Sequence, residues 1–110
     1  MKLEMLRNIN LHDSLMESIH FIEDKKELRI NLELCNWKQK NYKEGEAELV
    51  SKILIFKDVE EYNIEPDFPI NSDEILEVKI TEPSKVEIII LGESDIKKMN
   101  IRAKYFLWSD

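Results

Sequence analysis

The chain reads as a mainly β protein: an antiparallel β-sandwich or strongly curved sheet of about six strands, with at most one or two short helical turns. Three observations predict this class. Residues 28–35 alternate strictly, with Leu28, Ile30, Leu32 and Leu34 on one side and Arg29, Asn31, Glu33 and Cys35 on the other. Val86–Leu91 is apolar on both parities except for Glu87, as a central strand would be. Short polar, Pro- or Gly-containing stretches separate such runs, the spacing expected of strands joined by turns.

The elements follow in order. Ser14 and Glu17 match a helix capping box, and Leu15, Ile19 and Ile22 have nearly helical spacing. Leu15, Ile19 and Phe21 equally share one strand face, with Glu23-Asp24-Lys25-Lys26 as a turn into the strand at 28. The hairpin is the favoured of these two readings. Trp37 ends the second strand, and Lys38–Glu46 with Gly45 is a loop. Residues 46–56 form the next strand, with Ala47, Leu49, Ile53 and Ile55 inward and Val50, Leu54 and Phe56 giving a partly apolar outer face. That outer face could pair with a second subunit, so a homodimer is one expected arrangement. Asp58–Ser72, with Pro66 and Pro69, is a long connection with room for one helical turn near residues 60–63. Leu76, Val78 and Ile80 alternate, Pro83-Ser84 makes a turn, and Gly92 begins the next one. A final strand places Met99, Ile101, Ala103, Tyr105 and Leu107 on one face.

A length of 110 residues fits one domain spanning 1–110, and a 43% hydrophobic share suffices for its core. No apolar run approaches the roughly 18–20 residues of a membrane span. The acid at Glu4 interrupts the stretch a signal peptide would keep apolar. Cys35 stands alone, which excludes an intramolecular disulfide and fits a reducing, cytoplasmic setting.

A net charge of −7 argues against nucleic-acid binding and against docking on an anionic membrane. The charge is localised. Residues 58–78 hold eight of the 23 acids and no Lys or Arg, leaving 15 acids against 16 basic residues elsewhere. This segment is the expected partner-binding surface. Glu60, Glu61, Glu65, Asp67, Asp73 and Glu74 would steer a basic protein partner, with Tyr62 and Phe68 as apolar anchors. Its bland alternative is a solvated loop.

No residue set predicts catalysis, so the chain reads as non-enzymatic. His12-Asp13-Ser14 contains the residue types of a hydrolase triad, but three consecutive side chains do not readily converge. Asp13 and Ser14 fit local backbone bonding better. His12 and His20 lack the partners of a known metal motif, and Gly45 and Gly92 cannot form a phosphate-binding loop, so no metal or cofactor is expected. Cys35 reads as a packed thiol. The alternative to a protein-interaction module is a small-ligand-binding β domain, with Trp37 or Trp108 at the mouth of a pocket.

Leu11-His12-Asp13-Ser14 leading into a strand resembles the opening of a loose group of small bacterial proteins. Ile53-Leu54-Ile55-Phe56-Lys57-Asp58-Val59, Pro66-Asp67 and Glu74-Ile75-Leu76 are similar to later landmarks of that group. Some of these proteins are similar to immunity proteins of polymorphic toxin systems. The resemblance implies a cytoplasmic protein that binds and neutralises a toxin without catalysis of its own, and it carries over no binding residues.

Overall fold

In the computed structural model, residues 1–66, 70, 72–82, 84–93 and 95–109 are described. After a 3₁₀ segment at Leu3–Asn8 come eight strands. They are β1 (Leu15–Ile22), β2 (Glu27–Cys35), β3 (Leu49–Lys57), β4 (Glu61–Glu65), β5 (Asp73–Glu82), β6 (Lys85–Leu91), β7 (Ile96–Arg102) and β8 (Tyr105–Ser109). All belong to one open antiparallel sheet in the order β4-β7-β6-β5-β1-β2-β3-β8. Among the described residues no helix is long and apolar enough to cross a membrane.

Eight strands replace the six expected, for two local reasons. The acidic connection contains β4, which pairs with β7 from Glu61↔Arg102 to Glu65↔Lys98. The expected last strand is two strands, because the chain turns at Ala103-Lys104, where Ala103 N–H donates to Ser84 O and Lys104 N–H to Lys57 O. That turn reverses the parity. Phe106 is buried, whereas Leu107, predicted inward, is exposed.

Residues 15–22 form the hairpin strand, joined to β2 through a short 3₁₀ turn at Glu23–Lys25. The inner face of β3 is the reverse of the predicted one. Leu28 opposes Phe56 and Ile30 opposes Leu54, so Leu54 and Phe56 join the core while Leu49 is exposed. Both faces of β3 are apolar, so alternation alone did not select a side; the register with β2 did. On β5 a bulge between Ile75 and Glu77 shifts the inward set from Leu76 to Ile75, followed by Val78 and Ile80.

The sheet divides into two four-stranded halves whose strands, among the described residues, pair only at Leu15↔Glu74 and Met16↔Asp73. Both halves turn their apolar faces into one core, with Leu28, Ile30, Phe56 and Phe106 from one and Val86, Ile88, Met99 and Ile101 from the other. The curl is strong enough that Phe21 of β1 and Tyr62 of β4, four places apart in the sheet, pack with ring centroids 5.7 Å apart. Leu3, Leu6 and Leu11 of the N-terminal segment are buried in the same core.

Candidate functional site

The strand junction is where chemistry-bearing side chains gather. Asp13 has φ 69°, in the left-handed region that Asp tolerates better than most residues. Asp13 N–H donates to Ile75 O at 2.9 Å and Ile75 N–H to Ser14 O at 2.8 Å, the last backbone–backbone bonds between this segment and β5 among the described residues. N-terminal to Asp13 the backbone turns away from β5. From Leu76 to Glu82, β5 is therefore paired with β6 alone among the described residues.

Side chains from three distant segments fix this divergence. Lys38 Nζ donates to Asp13 Oδ2 at 2.5 Å and lies 3.3 Å from His12 Nδ1, which is itself 3.1 Å from Asp13 Oδ1. Glu74 stands close enough to Asp13 for the two carboxyl groups to interact. The Lys38 hydrogen bond, reinforced by Glu74, lowers the Asp13 pKa, while the bond to Asp13 and burial raise that of Glu74. The charged form of Asp13 is therefore favoured and that of Glu74 disfavoured. Lys38 compensates the remaining charge. The cluster is a brace whose charges are spent on one another.

Ser14 and Cys35 belong to the same junction but face inward. Ser14 is 0% exposed, and its Oγ accepts Cys35 N–H at 2.9 Å. Cys35 is a buried thiol that donates to Asp13 O at 3.4 Å. His12, Asp13 and Ser14 consequently point into different surroundings: the first two into the exposed brace, the third into the interior. His20 stands on β1 opposite Arg29, away from His12. No group of three or more His, Cys, Asp or Glu suited to a metal ion occurs among the described residues.

Beside the brace runs a groove of about 830 Å³. One wall is the open edge of β5, including Val78 and Ile80; the other is the segment from Leu6 to His12. Gln39 holds that segment in place, accepting Asn10 N–H at 3.0 Å and donating to Asn10 O at 2.6 Å and to Cys35 O at 3.0 Å. Arg7 Nη2 reaches across to Ile80 O at 3.4 Å. Neither tryptophan lines this groove. Trp37 is 51% exposed with the Lys38 ammonium over its ring, and Trp108 borders a separate cavity of about 360 Å³.

The chain matches no family model, no curated protein and no solved structure.

The acidic positions predicted from sequence are dispersed. Glu60, Glu61 and Glu65 are exposed on and beside edge strand β4. Asp73, expected on the surface, is 5% exposed and bonded at 2.7 Å to Lys97, itself 4% exposed. It shares the core-facing parity of Ile75, so the segment's charge is not all surface charge. Glu74 is half-buried in the brace. Tyr62 is half-buried and packs on Phe21. Asp67 and Phe68 lie outside the described residues.

Arg7, Lys38 and Gln39 are site residues that the sequence reading missed. They sit in polar stretches without periodicity, and Lys38 meets Asp13 across 25 positions. No local signal carries such a contact.

Proposed function

We propose that this protein is a non-enzymatic protein-interaction module that receives an extended strand of its partner along the open edge of β5. One observation supports the reading: an edge from Leu76 to Glu82, paired on one side only, borders a groove floored by apolar side chains. Strand addition requires those two things, backbone groups ready to pair and pockets for alternate side chains. The bland reading of the edge is that Arg7 and the N-terminal segment merely shield it. Against that reading stands the space left between wall and edge. A toxin-neutralising immunity protein is the specific form of the proposal suggested by Leu11-His12-Asp13-Ser14.

A second reading rests on Glu60, Glu61 and Glu65, which remain exposed around β4 and would steer a basic partner. Photocrosslinking separates the two. A photoreactive residue at Thr81 reports on the β5 edge and one at Asn63 on β4; both native residues are exposed. The β5 reading expects one recurrent adduct from position 81 in native cells and none from 63. The reverse pattern would favour the acidic edge, and adducts from neither would sink both.

A further inference from the structure

We infer that the strand received by the β5 edge is acidic. This rests on the reading of β5 as the receiving edge and adds the chemistry of its occupant. In a chain of net charge −7, four cations without an ion pair among the described residues border this one edge. Lys40 borders the groove at the Leu76 end, and Arg7 crosses its middle, where it bonds only Ile80 O. Past Arg7 the groove runs on into a cavity of about 450 Å³ that also touches Ile80 and Thr81, and here Lys2 and Lys104 stand at the rim. Among the described residues none of these four cations has an ion pair.

The acids nearby do not cancel them. Glu77 pairs with Lys79 at 3.7 Å, Glu82 with Arg102 at 3.4 Å, and Asp13 with Lys38, which leaves Glu4 as the one unpaired carboxylate lining either cavity. Four uncompensated cations against one acid make a local positive field in an otherwise negative molecule. Such a field selects an anionic occupant and repels a basic one.

The shape selects an extended one. Ile80 O points out of the sheet toward Arg7, and backbone groups alternate in direction along a strand. Val78 therefore also presents its N–H and C=O groups to the groove, and the irregularity between Ile80 and Glu82 breaks the alternation beyond that point. At about 3.3 Å per residue, the edge from Leu76 to Glu82 spans roughly 23 Å, room for six or seven residues of a partner strand. Val78 and Ile80 would pack the apolar side chains of that strand. Its acidic side chains would reach Lys40, Arg7, Lys2 and Lys104, with Arg7 exchanging Ile80 O for a carboxylate.

Fluorescence anisotropy with three labelled octapeptides tests this: a Glu-Val repeat, a Gln-Val repeat and a Lys-Val repeat. The Glu-Val peptide is expected to bind at least about tenfold more tightly than Gln-Val, and Lys-Val not to bind. Lys40→Glu combined with Lys104→Glu changes two exposed side chains without ion pairs, and should weaken Glu-Val binding about tenfold while leaving the melting temperature unchanged. N-methylating alternate residues of Glu-Val should abolish binding in one register and spare it in the other. Equal affinity for all three peptides would overturn the acidic inference while the edge reading stands. Indifference to N-methylation in both registers would overturn the strand geometry, leaving an anion held by charge alone. No binding by any peptide, with the adduct from position 81 still recovered, would also overturn the inference; with no adduct either, the edge reading falls too.

Discussion

Glu27 illustrates what a single buried charge demands of its neighbours. It is 2% exposed, yet Lys57 Nζ lies 2.5 Å and Arg29 Nε 2.7 Å from its two oxygens. The Lys57 hydrogen bond, then the Arg29 one, lowers its pKa from 4.5 to about 2. A carboxylate held below its ordinary pKa stabilises the fold above that ordinary value and loses the contribution as pH falls through the folded one. Glu27→Gln should therefore lower stability at pH 7 by about 1–2 kcal/mol, because both cations keep access to solvent. Thermal melts should find the gap between variant and parent closing between pH 4.5 and 2. Asp73 and Lys97 are buried together, so removing either takes away the buried counter-ion bonded to the other at 2.7 Å. Lys97→Met alone should cost about 3–5 kcal/mol in denaturant unfolding, and pairing it with Asp73→Leu should recover most of that.

At the scale of elements, the exposed acids of β4 have work to do even apart from any partner. β4 ends the sheet, and Glu61 and Glu65 discourage a second copy from pairing there. Glu61→Val with Glu65→Val should promote self-association, read by sedimentation velocity as a concentration-dependent shift above the value of the parent protein. Unchanged sedimentation would assign edge protection elsewhere. The junction between β1 and β5 depends on Ser14, whose Oγ is the buried acceptor for Cys35 N–H. Ser14→Ala leaves that donor unsatisfied and should cost about 1–3 kcal/mol, with amide exchange quickening first at Cys35.

At the scale of the molecule, the two halves share few strand contacts, yet one core joins them. Phe56→Ala on one half and Ile88→Ala on the other each remove a fully buried side chain and should cost about 2–5 kcal/mol. Both variants should still unfold in a single transition, with fluorescence and circular dichroism coincident. Separate transitions would mean that the halves fold independently.

The sequence by itself determined the mainly β, antiparallel character and the β2 and β6 strands, because alternation and β-branching are local properties of the chain. It marked the turns near Glu23–Lys26 and near Ser84 for the same reason. It did not determine the inward face of β3, since a strand apolar on both sides takes its orientation from Leu28 and Ile30 across the ladder. Nor did it reveal that Asp73 is buried, because that depends on Lys97 arriving from a strand 24 positions away. The open edge of β5 is likewise a tertiary fact. It exists because Asp13, braced by Lys38 and Glu74, turns the incoming chain aside, and a contact between distant segments leaves no trace in the pattern of either.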